Sequence, residues 1–160
     1  HYPLRRQRQM CIRDRFREED MGKLAEAMDC LGVESYAILY GEDEKGAPLG
    51  ELSPLGRNRL MGKKGGEKFD LLEESSCGDW GSSLDLEAPK AEESAAKIQA
   101  VLAGDGARAV RGAVVWNAGA LLWLGGVAKD WVEGRKLAEE TIAKGSARAL
   151  LERWRTWSRD

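Results

Sequence analysis

The stretch "REEDMGKLAEAMDCLGVESYAILYG", residues 17–41, sets the fold class. Met21, Leu24, Ala25, Met28 and Leu31 recur at i, i+3, i+4, i+7 and i+10, a period that predicts an amphipathic helix. Glu18, Glu19 and Asp20 suit the positive end of its dipole, and Gly32 is placed to end it. "ESYAILYG", residues 34–41, then reads as a short buried strand closed by Gly41. Helix, tight turn and buried strand form one half-unit of an α/β sheet.

Beyond that unit, "RNRLMG" (57–62) and "EKFDLL" (67–72) read as short edge strands on either side of a "KKGG" turn. The string "GKKGGEK", residues 62–68, looks like a phosphate cradle, but it does not open a helix, so a hairpin turn is expected. Residues 74–90 have the composition of a long surface loop. The rest is helical. Residues 91–103 place Ala91, Ala95, Ile98 and Leu102 on one stripe, with Gly104 as the stop. An apolar helix follows over 109–125. The next begins at an Asp130 N-cap, groups Trp131, Leu137, Ala138, Thr141 and Ile142, and ends at Gly145. A last helix runs from Ser146, read as its N-cap, to the end.

With 42% hydrophobic and 32% charged residues, the 160-residue chain is globular and of single-domain size. Residues 1–15, "HYPLRRQRQMCIRDR", carry five Arg and one Asp, leaving 20 basic and 26 acidic side chains for the other 145, a net of −6. Such a body has no general attraction for nucleic acid. The basic segment resembles the translated read-through of a sequencing adapter at the end of a metagenome-assembled chain. The native sequence is therefore expected over residues 16–160. His1 is the lone histidine, which sets aside His-dependent catalysis and multi-His metal sites. Cys11, Cys30 and Cys77 form no CxxC pair and read as free thiols of a reducing, cytoplasmic compartment. The uncharged run at 112–128 is at the short limit for a membrane span, and its glycines and Asn117 favour a buried core helix.

Glu42, Asp43, Glu44 and Glu51 fall in the fourteen residues "GEDEKGAPLGELSP" (41–54) after the strand. Hard oxygen donors so placed suit a divalent cation; a solvated acidic loop is the competing reading. Asn117 is expected to bond a neighbouring backbone group in the core. Trp116 and Trp123 are read as core packing. Trp154 and Trp157, interleaved with Arg153, Arg155 and Arg159, are read as capping the core while the arginines face water, against a base-stacking surface.

The ordered set "LGVESYAILYG", "GELSPLG", "AVLAG" and "NAGALLWLGGVAKDWVEGRKLAEETIAKGSARALLERW" resembles the C-terminal part of the anthranilate phosphoribosyltransferases of tryptophan biosynthesis. The likeness covers residues 16 to about 157. It implies part of a phosphoribosyltransferase/nucleoside phosphorylase catalytic domain, a mixed sheet flanked by helices, with the helical N-terminal domain missing. It implies Mg²⁺, phosphoribosyl pyrophosphate and anthranilate, and a homodimer in the full-length protein. By the same resemblance Glu51 matches the Glu of the family's magnesium-binding acidic pair, while Gly50 stands where its Asp is expected; Asp43 is the alternative replacement ligand, with Glu42 and Glu44 beside it. The family's glycine-rich phosphate loop does not occur in these 160 residues, so no catalytic residue is assigned in this chain and the chain alone is expected to be inactive. Two alternatives stand beside this reading. One is a non-catalytic nucleic-acid-binding relative of the same fold, kept open by Gly50. The other is a pyrimidine nucleoside phosphorylase, which fits the "ELSP" and Asn-Ala motifs less well.

Overall fold

A computed structural model of the chain describes residues 17–75 and 78–157. The basic segment, Cys11, Cys77 and Arg159 lie outside the described residues. Helix α1 (Met21–Cys30) leads into strand β1 (Tyr36–Gly41), which is followed by β2 (Arg57–Lys64) and β3 (Glu67–Glu74). Helices α2 (Ala91–Ala103), α3 (Arg108–Leu124), α4 (Trp131–Ala143) and α5 (Ser146–Trp157) complete the chain. The fold is the expected mix of sheet and flanking helices, and its described strands all run antiparallel in the order β1-β2-β3.

Strand β2 is therefore central, not the edge strand expected, and it runs two residues past "RNRLMG" to pair with β1 and β3. Gly65 and Gly66, both at positive φ, form the hairpin turn predicted at "KKGG". The period-2 alternation of β2 sorts its side chains onto two unlike faces. Asn58, Leu60 and Gly62 are buried. Leu60 joins Leu52, Trp116, Ala120 and Trp131 in an apolar cluster, with Leu39, Phe69 and Trp123 packed against it.

The other face is ionic. Arg57 and Arg59 both bond Glu18, Arg57 also reaches Glu42 at 2.8 Å, and Arg59 pairs with Asp70 at 2.7 Å. Lys63 and Lys68 converge on Asp29 of α1, which also accepts the Tyr36 hydroxyl at 2.9 Å. Helix α1 thus sits on charged side chains, and of its five periodic positions only Met21 is fully buried. Leu24 and Leu31, expected on the buried face, are exposed.

The helices pack through small residues. A Cβ on Gly134 would collide with the Gly119 carbonyl oxygen, and one on Gly119 would lie 2.7 Å from the Arg135 nitrogen. Backbone contact at this crossing explains the glycine of the Glu133-Gly134 helix start. Trp131 meets Trp116 edge to face at 5.3 Å, donates its indole N–H to the Trp116 carbonyl, and lies with Trp116 under the Arg135 guanidinium. Arg135 also pairs with Glu73, tying α4 to β3. A second cluster, Val101, Val110, Val115, Ala138 and Ile142, joins α2, α3 and α4.

Several expectations change at the periphery. Of the α2 residues only Val101 is buried, and Ile98 of the expected stripe is 41% exposed. Residues 78–90 are mostly loop but include a short 3-10 turn, Ser83–Leu86, capped by Ser82. Ser146 is the first residue of α5; the Gly145 carbonyl accepts the N–H of Ala149, so Gly145 both ends α4 and caps α5. Trp154 and Trp157 do not cap the core. They are 63% and 80% exposed, because α5 approaches α2 with Arg148, Leu151 and Arg155, from the opposite side. No helix among the described residues is long and apolar enough to cross a membrane.

Two consequences are measurable. Gly134→Ala should lower unfolding stability by about 1–3 kcal/mol in urea titrations, as overpacking does; an unchanged midpoint would mean that the α3–α4 crossing yields freely. The hydrogen bond from Lys63, then those from Lys68 and Tyr36, hold the Asp29 carboxyl well below the usual carboxylate range. A depressed folded pKa contributes stability above the ordinary carboxylate pKa, lost as pH falls through the folded one. Asp29→Asn should therefore shrink the acid loss of stability below about pH 4; an identical acid limb would show that the cluster does not hold in solution.

Candidate functional site

The acidic loop folds back on the end of β1. The Leu49 N–H donates to the Gly41 carbonyl at 2.9 Å, and Glu42 bridges Pro48. Gly41 is required because a Cβ there would run into the Glu51 carbonyl oxygen. The following residues plunge inward: Leu52, Ser53 and Pro54 are fully buried. Pro54 fits against Gly112, where a Cβ would overlap its ring.

Buried backbone outside a ladder needs partners, and two asparagines supply them. Asn117 of α3 accepts the Leu52 N–H at 3.1 Å and donates to the Leu52 carbonyl at 2.8 Å. Asn58 of β2 does the same for Ser53, at 2.7 Å in each direction. Asn117 behaves as expected. Asn58 was not singled out, although a polar side chain among the inward positions of β2 is the signal that marks it.

The four loop carboxylates have different fates. Glu42 accepts from Arg57 and from the Tyr40 hydroxyl. Asp43 is nearly buried, and its Oδ1 accepts the N–H groups of Lys45 at 2.8 Å and Ala47 at 2.7 Å, which shapes the turn. Glu44 accepts from the hydroxyls of Ser82 and Ser83 and from the Ser83 N–H; with its own backbone N–H as the largest cause, these lower its carboxyl pKa. Glu51 alone of the four has no hydrogen bond or ion pair among the described residues.

Glu51 stands at the rim of a depression of about 360 Å³ whose wall includes Leu86, Ile98, Val110, Val114 and Asn117. Lys97 is also there, but its ammonium turns away to donate to the carbonyls of Asp85 and Glu87. Glu51 is exposed to solvent, and the partial desolvation of its carboxyl raises its pKa. A partly desolvated carboxylate without a protein partner among the described residues can bind a hard cation, because a second charge relieves the cost of its own.

It is not a complete cage. Among the described residues no group of three or more His, Cys, Asp or Glu side chains could hold a metal ion. Gly50, in place of the expected Asp, has φ +75° with open space around its α-carbon. An Asp would meet no steric obstacle there, but would pay about 1 kcal/mol or more for left-handed backbone.

The sheet, the glycine-paired helices and the clamped "ELSP" segment together make an α/β domain. A family model described as "Glycosyl transferase family, a/b domain" matches residues 11–148, and the chain belongs to that family. The anthranilate phosphoribosyltransferase of Geobacillus kaustophilus is 34% identical over 135 residues, 83% of this chain and 39% of that protein. That of Laribacter hongkongensis is 32% identical over 138 residues, 85% of this chain and 39% of its own length. A shorter match, 48% identical over 66 residues, is to the protein of that name from Sorangium cellulosum. The chain spans about two-fifths of the length of the first two.

A raised folded pKa means that the carboxyl favours folding below its unfolded pKa and opposes it as pH rises through the folded value. Glu51→Gln should therefore raise the thermal midpoint at pH 7 while leaving that at pH 4 nearly unchanged; equal shifts at both pH values would point to packing instead of charge.

Proposed function

We propose that this chain is the C-terminal part of an anthranilate phosphoribosyltransferase, in which residues 16–160 supply a portion of the catalytic domain. The reaction moves the phosphoribosyl group of phosphoribosyl pyrophosphate onto the amine of anthranilate and releases pyrophosphate. The reading is carried by alignment over more than four-fifths of the chain with relatives of that name. The full-length protein would work as a cytoplasmic homodimer. The groups that grip the diphosphate and the aromatic amine would come from outside this chain.

The leaving pyrophosphate gathers negative charge as its bond to the ribose breaks, and bound Mg²⁺ would neutralise it. This chain's contribution is the Glu51 carboxylate. Its lack of a partner among the described residues supports that role, since Mg²⁺ is commonly held by one or two carboxylates with waters and substrate phosphates. With Gly50 beside it, Glu51 would act without the second acid of the pair. Asp43 is a poorer donor, because one of its oxygens already serves two backbone N–H groups.

The test grafts residues 17–157 in place of the corresponding part of the Geobacillus kaustophilus relative and follows loss of anthranilate fluorescence with phosphoribosyl pyrophosphate and Mg²⁺. The graft should turn over and the present chain alone should not. A folded graft that binds neither substrate overturns the reading. In an active graft, Glu51→Gln should raise the Mg²⁺ concentration required by roughly tenfold or more, as the loss of a metal-site residue does; an unchanged requirement removes Glu51 from the metal.

A further inference from the structure

Strand β3 borders the sheet, with β2 on one side and no described strand on the other. In an antiparallel ladder every second residue directs its N–H and carbonyl away from the neighbouring strand. The Ser75 N–H donates to the Gly56 carbonyl, which continues the β2–β3 register by one pair. The odd-numbered residues of β3 therefore face β2, and Lys68, Asp70, Leu72 and Glu74 turn their backbone groups outward. No described residue bonds to those outward groups. An open row of this kind is a template for a further strand. The register along β2 is unbroken by a bulge, β3 contains no proline, and all its side chains except Phe69 and Glu73 are exposed.

The charges on β3 decide what fits there. Two copies related by a two-fold axis perpendicular to the sheet pair residues that share a face, so even numbers meet even and odd meet odd. Two registers engage most of the strand. One sets Asp70 against Asp70 of the second copy and Glu67 against Glu73, like charge on like. The other sets Lys68 against Glu74 at both ends, with Leu71 against Leu71 at the centre. Opposite charges facing across a ladder stabilise it, and like charges weaken it. Both charged groups are available. The Lys68 side chain is 76% exposed in its bond to Asp29, and the Glu74 carboxylate has no bond among the described residues. We infer that β3 pairs antiparallel with β3 of a second copy of this chain, in the Lys68–Glu74 register, so that one continuous sheet runs through both molecules. The contact lies wholly on this chain and depends neither on the metal role of Glu51 nor on the transfer reaction.

The experiment uses the 160-residue chain carrying Cys11→Ser, Cys30→Ser and Cys77→Ser. Sedimentation velocity follows it from about 1 μM to about 1 mM, the span of weak association. A monomer–dimer equilibrium is expected; a monomer throughout, or growth beyond the dimer, overturns the proposal. Glu74→Lys loses no bond in the monomer and sets a second cation against Lys68. It should weaken the dimer by roughly tenfold or more, and adding Lys68→Glu should restore it. Association indifferent to Glu74→Lys overturns the register, as does failure of the double variant to recover while circular dichroism shows it folded. Disulfide linkage reads the same register independently. Facing residues of a non-hydrogen-bonded pair have α-carbons about 4.5 Å apart, within reach of a disulfide. Oxidation should link Leu71→Cys into dimers and leave Asp70→Cys unlinked; the reverse pattern places the strands in the like-charged register and overturns the assignment.

Discussion

Leu52 and Ser53 form an irregular segment between a sheet and a helix layer, and the amides of Asn58 and Asn117 saturate their backbone from the two sides. Without them, four buried backbone N–H and C=O groups would lack partners, each at a cost of about 1–3 kcal/mol. With them, the Leu52 side chain enters the core beside Leu60 and Trp116, and Pro54 seats against Gly112. The same segment links β2 to α3 and sets the loop that carries Glu51. Sheet, helices and site therefore share one small piece of chain.

Glycine on α3 and α4 serves this arrangement in a second way. The run at 112–128 carries no charged side chain, and its glycines are used for close approach: Gly112 to Pro54 and Gly119 to Gly134. Backbones this close leave little room for a repacked side chain. The crossing also fixes how Trp131 and Arg135 meet Trp116.

Period and punctuation made most of the elements legible. The helices at 91–103 and from Asp130, and the "KKGG" hairpin, follow from apolar spacing, caps and glycine placement. What periodicity could not give was which stripe would find a partner. Ile98, Leu24 and Trp154 lie on apolar stripes yet face solvent, because a stripe records what a helix can bury and not what its neighbours offer. The site was legible only in part. Glu51 stood out by resemblance, but the division of labour among the acids did not. Glu42, Asp43 and Glu44 are committed to Arg57, to the turn over Lys45 and Ala47, and to Ser82 and Ser83. Two of those three partnerships span many residues, and a local reading of the loop sees only four like charges. Asn58 was hidden for the converse reason: its partners are near in sequence, but its importance comes from complete burial.

The sheet has one apolar face and one ionic face, and β2 contributes alternate side chains to both. Added electrolyte acts on these faces in opposite senses. Counterions screen the bonds from Arg57, Arg59, Lys63 and Lys68, to the extent that those groups are exposed. A strongly hydrated anion such as sulfate is at the same time excluded from the surface and strengthens burial around Leu60 and Trp116. Neutral chaotropic conditions would press mainly on the second face and leave the first engaged. The two sides of a single strand thus answer to different properties of the solvent, and the seating of α1 can be loosened while the helical layer behind the sheet holds.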